Sequence, residues 1–493
     1  MHLKAKLLDI ATESSAVVLM NAKKMRANDL HAGDRVVLAL KSKEIVAVIN
    51  VVQNGFLLHE EQLGLFVETA KALDAKEDDA ISISLPKNSD SARLIKKKMR
   101  GEYLDEEEMY AIVKDIVIRN LTDVELTYFV AACSMQLLTF KEIVFLTKSM
   151  ADTGTKIQFN KRLVIDKHCI GGVPGNRTTL ITVPIMASLG LTIPKTSSRA
   201  ITSPAGTADT MEVFANVELS AEKLKHVVEH VGACLVWGGG VNLAPADDRI
   251  IRIERPLSID VTGLMLASVM AKKYSVGSTH VLIDIPYGPG AKVETIERAK
   301  KLKRSFLAIG KDLNMKLFVV ITDGSQPIGY GIGPLLEAYD VLAVLKNDPS
   351  APQDLREKAL ILAGDFLEFI GHASKGKGKA MAEEELVSGR AFTKFKEIID
   401  AQGKKEIPPL AKYKHDILAK QSGKVIEIHN TRISKIAHVA GAPASKGAGI
   451  LLYAKVSTII AHEDKLCTIY AESEEKLQQA IQYFKTNDPY IIE

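Results

Sequence analysis

Between residues 162 and 324, short apolar strand-like runs such as RLVI, LTIPKTS, ADTMEVFANV, ACLVW, VLIDIPYG and LFVVITDG alternate with stretches of helical period. Most of these runs end in a bend rich in glycine or hydroxyl residues. Strands that alternate with helices argue for a mostly parallel sheet, because each helix can carry the chain back over it. Such a sheet binds ligands in the crevice beyond the carboxyl ends of its strands, so the bends are where chemistry belongs.

The flanks differ. From residue 1 to 85 the pieces AVVLM, RVVLAL, EIVAVINVV and ISISL are short, β-branched and separated by polar turns, which predicts a small β domain. LPKNSDS reads as a linker. Residues 91–165 take helical period, with Asp105 and Thr122 as candidate caps, and predict a helical domain. Residues 166–412 carry the mostly parallel α/β domain. From 423 onward, GKVIEIH, GILLYAK and LCTIYAES return to strand alternation before the helical EEKLQQAIQYF, giving a carboxyl-terminal α+β domain. The expected class is a multidomain α/β protein, and length alone predicts about three domains for a chain of 493 residues.

Composition excludes several partners. Sixty-four Lys and Arg against 60 Asp and Glu leave a net +4, too balanced for a general field that would hold nucleic acid or a membrane surface. Any anion preference must be local. Cys133, Cys169, Cys234 and Cys467 show no paired spacing, which speaks against a zinc site or disulfide framework and fits a reducing cytoplasm. The amino terminus has charges in every apolar window and no signal-peptide pattern. The longest uncharged run, between Arg177 and Lys195, is broken by Pro184, Gly190 and Pro194 and reads as a buried helix then a strand. KGKGK, residues 375–379, reads as an exposed loop.

Three stretches carry chemistry. In KHCIGGVPGNRTT, residues 167–179, Gly171, Gly172 and Gly175 follow the strand RLVI and precede a helix starting near Asn176. Bare amides, a helix start and Lys167 suit a phosphate, although an ordinary glycine turn is the plain alternative. In TSSRAITSPAGTAD, Thr196–Asp209, six hydroxyls and Arg199 could bind a second anion or simply cap a helix. In ERPLSIDVTGLMLASVMAKK, Asp260 heads an apolar helix with Ser268 and Lys272 one turn apart. Apolar surroundings would raise a carboxyl toward neutrality and make Asp260 a proton donor, or it is a helix cap. HVVEH, His226–His230, matches a zinc-protease spacing but reads as an exposed helix face.

Taken together, KHCIGGVPGN, SSRAITSPAGTAD, NLAPADDR and SIDVTGLMLASVMAKK resemble, in the same order, segments of the thymidine and pyrimidine-nucleoside phosphorylases. The resemblance runs from about residue 91 to the end. It implies the family's architecture of a helical domain and an α/β domain, and cleavage of a glycosidic bond by inorganic phosphate as co-substrate, with no metal or other cofactor. Cys169 and Ile170 in place of the usual Ser-Thr, an added Pro174 and the β domain of residues 1–85 are similar to the branch acting on nucleoside 5′-monophosphates. For that branch the substrates are AMP and also CMP and UMP, and the sugar product is ribose 1,5-bisphosphate. The resemblance makes Asp260 the proton donor. It assigns Gly172, Ser198, Arg199, Ala200, Ile201, Thr202, Ser203, Thr207, Ser268 and Lys292 to the nucleotide, and Lys167, Thr179 and Thr207 to orthophosphate. Ser268 and Lys272 match base-side positions, with Arg255 a further match, and Thr207 could serve either ligand. It also implies a homo-oligomer enlarged through the β domain. Anthranilate phosphoribosyltransferases are similar at SPAGTAD, but carry an adjacent Asp-Glu metal pair where this chain has Asp260-Val261. A nucleotide sensor without catalysis would need the loops alone.

Overall fold

The computed structural model describes residues 1–12, 16–53, 55–85, 90–200, 203–257 and 261–493. They form two compact units, Met1–Ser149 with Ala246–Gly263, and Met150–Pro245 with Leu264–Glu493.

In the first unit the expected β domain is a closed barrel. Its strands run in the order His2–Leu7, Gln62–Leu65, Val17–Asn21, Lys43–Val52, Arg35–Leu40 and Ala80–Ser84. RVVLAL shows why these residues make a barrel wall: Val36, Leu38 and Leu40 point inward and their neighbours outward, the period of two that a half-buried strand requires. Closure leaves no free sheet edge. Helices Asp90–Met99, Glu106–Val117, Asp123–Met135 and Phe140–Asp152 follow. Asp105 and Thr122 cap as expected, each completing a capping box with the Glu three residues on. A buried pair, Lys98 Nζ to Glu142 Oε1 at 2.8 Å, holds the bundle together. The helix Pro245–Leu257 fastens onto it through Arg249, which donates to the Ile116 carbonyl at 2.7 Å and pairs with Asp123 at 3.2 Å.

The second unit contains the parallel sheet. Strands Lys316–Asp323, His280–Tyr287 and Ile165–Cys169 pair in that order, all parallel. Ile193–Ser197 and Ala233–Trp237 form a second parallel pair. A parallel bridge between Val164 and Thr192 and the bond from Ile165 N to Thr192 O at 2.9 Å join the two sets. The helix Thr179–Ser188 is buried along nearly its whole length, with Pro184 inside it, as its unbroken apolar composition predicts. Carboxyl-terminal strands Tyr413–Leu418, Gly423–Ile428, Gly449–Leu452 and Lys465–Ala471 pack with helices Asn430–Ala440 and Glu474–Thr486.

Four boundaries differ from the sequence reading. The first parallel strand continues through Lys167 and His168 to Cys169, and its helix begins at Thr179 rather than near Asn176. A central strand buries both faces, so charged residues inside it do not mark its end. ADTMEVFANV opens with the helix Thr207–Met211 instead of a strand. KGKGK is only half loop, because Gly378 begins the helix Gly378–Val387 and lies against Gly364, where a Cβ would meet the Gly364 carbonyl oxygen at 2.1 Å. Two strands from before residue 423 join the carboxyl-terminal sheet, Tyr413–Leu418 beside Lys465–Ala471 and Gly331–Ile332 beside Gly449–Leu452.

Candidate active site

Three bends lie at the carboxyl ends of parallel strands: Ile170–Thr178 after Ile165–Cys169, Ser198–Gly206 after Ile193–Ser197, and Gly288–Thr295 after His280–Tyr287. That is the edge where an open α/β sheet holds ligands.

In the first bend, Gly171, Gly172 and Gly175 all have positive φ, at 91°, 88° and 74°. Two of them are also sterically compulsory: a Cβ at Gly172 would meet Lys292 N at 2.0 Å, and one at Gly175 would meet Ile328 O at 1.9 Å. Gly172 therefore brings the first bend against the third. Lys167 is fully buried below the bend and donates from Nζ to Thr178 Oγ1 at 2.7 Å and Thr179 Oγ1 at 3.0 Å, so the sequence-predicted pair Lys167 and Thr179 is assembled. Burial pulls the Lys167 ammonium below its usual range, with Cys169 and Asp284 opposing. Burial also pushes the Cys169 thiol up to about 11, and Asn176 Nδ2 donates to its half-buried sulfur at 3.4 Å.

The second bend is organised by Asp209, whose Oδ2 accepts from Ala200 N at 2.7 Å and Gly206 N at 2.9 Å. Ser203 Oγ donates to the Ala205 carbonyl at 2.8 Å, the local capping role that a hydroxyl in such a bend can take. Ser198 is exposed, and Thr207 is half-buried as the first residue of its helix. Arg199 departs from the expected phosphate grip. Its guanidinium pairs with Glu212 at 2.8 Å, Glu218 at 2.9 Å and Asp209 at 3.3 Å, and lies 4.9 Å from the Trp237 ring centre. The Arg199 bond holds Glu212 down to about 2 and Glu212 in turn raises Arg199 above its usual range. Lys446 of the carboxyl-terminal domain adds a pair to Glu212 at 2.8 Å. Here Arg199 clamps its own bend.

One buried side chain joins the first two bends. Arg177 donates through Nε to Glu337 and through Nη2 to the Ala205 carbonyl, and Thr210 Oγ1 reaches the same Glu337 oxygen at 3.4 Å. Near this seam two further buried lysines, Lys195 and Lys273, join Lys167, and the sequence patterns did not single them out. Lys195 sits on the strand beside Lys167, and Lys273 pairs with Asp166 at 2.8 Å and donates to Thr196 O at 3.3 Å. Lys272, a predicted base-side residue, lies with its Cδ 3.7 Å from where a Gly238 Cβ would stand, and Ser268 is half-buried one turn earlier on the helix Thr262–Ser275. Burial, then Lys273, keep the Lys195 amine well below its ordinary range; burial, then Lys273, Lys195, Lys272 and Lys167, do the same to His168. Burial among neighbouring amines disfavours their charged forms, which is the cause of these shifts. The available signal in the sequence was a charge inside an apolar run, as in IPKTS, which demands a buried partner.

Asp260, Ile201 and Thr202 lie outside the described residues, as does the side chain of Arg255. The His226–Val227–Val228–Glu229–His230 stretch is on the helix Ala221–Val231 with His230 Nδ1 at the His226 carbonyl, 2.8 Å, and among the described residues no three ligating side chains gather for a metal.

Residues 161–392 match the family model "Glycosyl transferase family, a/b domain", 92–154 its helical bundle domain, and 424–490 "Pyrimidine nucleoside phosphorylase C-terminal domain". An AMP phosphorylase of Thermococcus kodakarensis is 47% identical over 501 residues, covering 100% of this chain and 98% of the relative. An AMP phosphorylase of Pyrococcus furiosus is 46% identical over 498 residues, 99% and 97% of the two chains. A Legionella pneumophila protein bearing the provisional name thymidine phosphorylase is 45% identical over 492 residues, 99% and 95%. Among solved structures, anthranilate phosphoribosyltransferase from Thermus thermophilus superimposes with a TM-score of 0.54 at 19% identity, over 63% of this chain and 99% of that one, a likeness of fold alone. The chain is thus a glycosyltransferase by its domains, and it belongs to the thymidine phosphorylase family together with the AMP phosphorylases. The amino-terminal domain does not separate those two names, since the Legionella relative also aligns over 99% of this chain.

Proposed function

We propose that the chain catalyses phosphorolysis of nucleoside 5′-monophosphates, AMP foremost, giving free base and ribose 1,5-bisphosphate. The observation that carries this reading is the junction of two anion-suited bends through Arg177, backed by buried amines, which suits a ligand pair bearing two phosphates on one sugar. Full-length identity of 43–47% to AMP phosphorylases supports the same substrate.

In this reading Lys167, Thr179 and the glycine amides hold orthophosphate, while the second bend and Lys292 take the 5′-phosphate. With Arg199 already satisfied by carboxylates, the amides and hydroxyls of Ser198–Thr207 are the contacts assigned to that group. Asp260 donates a proton to the base as the glycosidic bond stretches, contributing about 10²- to 10⁴-fold. The bound phosphate stabilises the oxocarbenium-like sugar and attacks its anomeric carbon. Holding the two reactants in place removes up to about 7–11 kcal/mol of entropic barrier in favourable cases. No metal enters these steps. We also assign the amino-terminal barrel to homo-oligomer assembly.

The test is a panel of AMP, CMP, UMP, adenosine, uridine and thymidine with inorganic phosphate. A preference for monophosphates by kcat/KM of roughly 100-fold or more is expected, from two or three charge-assisted bonds of about 1.5–3 kcal/mol each. Equal turnover of adenosine, or a preference for thymidine, would refute it.

A further inference from the structure

Asn430, the first residue of the helix Asn430–Ala440, is completely buried. Its side chain does not cap its own helix. Instead Nδ2 donates to two loops at once, Gly324 O at 2.8 Å and Pro289 O at 3.1 Å. These loops follow adjacent parallel strands and are pressed together, a Cβ on Gly288 falling 2.7 Å from Ser325 N. Thr431 Oγ1 donates to Gly290 O at 3.1 Å, and Gly290, at φ 69°, has its Cβ position 3.2 Å from both His429 Nδ1 and Thr431 N. The turn is closed on itself by Gly288 N to Val293 O and Ala291 N to Gly288 O, both 3.1 Å. Two consecutive carbonyls, 289 and 290, are thereby committed to the carboxyl-terminal domain. Two residues beyond Gly290, Lys292 N sits at the point where only a glycine, Gly172, lets the phosphate-type bend approach.

We propose that Asn430 and Thr431 are positioning residues through which the carboxyl-terminal domain sets the height of the Lys292 turn and so the enzyme's grip on the nucleotide. The proposal rests on the reading of Lys292 as a nucleotide contact. Thr431→Val removes one exposed hydroxyl and leaves the fold intact; Asn430→Asp is isosteric but turns a double donor into a carboxylate facing two carbonyls. Thr431→Val is expected to raise KM for AMP about three- to tenfold, with kcat and KM for phosphate near wild type. Asn430→Asp is expected to raise it further. In a Lys292→Met background, Thr431→Val should add little, because it acts through a group already removed.

Steady-state kinetics of these variants, each checked by circular dichroism, decides between outcomes. A selective rise in KM for AMP with non-additivity supports the proposal. Equal rises for AMP and phosphate, or full additivity with Lys292→Met, overturn it as general loosening. A raised KM in Lys292→Met with unchanged values in Thr431→Val and Asn430→Asp overturns the positioning alone. An unchanged KM in Lys292→Met overturns the assignment of Lys292, and the proposal with it.

Discussion

Arg177→Met is the substitution that most sharply probes how the two bends are joined. The guanidinium is bonded to Glu337 and to the Ala205 carbonyl, and among the described residues Glu337 is otherwise met by Gly333 N at 3.1 Å and Thr210 Oγ1 at 3.4 Å. Burial already pushes the Glu337 carboxyl up, opposed first by Arg177. Removing the arginine leaves a buried carboxylate that must protonate or remain uncompensated, a situation that costs about 3–5 kcal/mol. Because replacing both partners of a buried pair is far milder than removing one, Arg177→Met with Glu337→Gln should recover more than half of that loss. The readout is built in, since the chain has a single tryptophan and it lies under Arg199 in the second bend. Guanidinium titration followed by Trp237 fluorescence gives the stability, and initial rates give KM for AMP and phosphate, both expected to rise roughly tenfold or more as the bends lose registry. A variant within about 1 kcal/mol of wild type with both KM values unchanged would refute the claim that this arginine joins the site.

Other outcomes are equally specific. Gly172→Ala places a methyl 2.0 Å from Lys292 N at φ 88°, so a loss of about 2–5 kcal/mol and of AMP turnover is expected by calorimetry and rate assays; a neutral result would mean the two bends separate freely. Asp260→Asn is expected to bind AMP normally by calorimetric titration while losing about 10²–10⁴ in kcat, and near-normal turnover would remove the acid assignment. Asp340 accepts from Tyr330 N at 2.7 Å and Gly331 N at 2.8 Å, and burial lifts its carboxyl from 3.8 to about 6. A folded value above the unfolded one gives stability fully present below about pH 4 and lost as pH rises through about 6, on the order of 3 kcal/mol, so Asp340→Asn should flatten stability across that window; an unchanged pH profile contradicts this. Deleting residues 1–85 is expected to lower the mass of the assembly by light scattering.

Much of this organisation is legible in the sequence where the physics is local. Capping at Asp105 and Thr122 needs only a neighbour three residues on, and the apolar strands of the sheet announce themselves by composition. Lys167 stands out beside its glycine bend, whereas its pairing with Thr179 followed from the likeness to the nucleoside phosphorylases. What the pattern hid is long-range. Arg177 and Glu337 are separated by 160 positions, and Asn430 by 141 from the Pro289 carbonyl it holds. Arg199 shows the opposite failure: an arginine amid hydroxyls suits phosphate, yet Glu212 and Glu218, on the chain beyond the bend, fold back to neutralise it. Charged residues in the Lys167 strand resembled a loop because a two-sided buried strand has no polar face to betray the period.

The central claim is that one site holds a nucleotide and an orthophosphate while the base departs. Phosphorus NMR of a reaction containing AMP and inorganic phosphate tests it most directly. The account predicts equimolar adenine and a sugar bearing two phosphoester signals, ribose 1,5-bisphosphate, with orthophosphate consumed. Adenine released without loss of orthophosphate, or a sugar carrying a single phosphate, would contradict it.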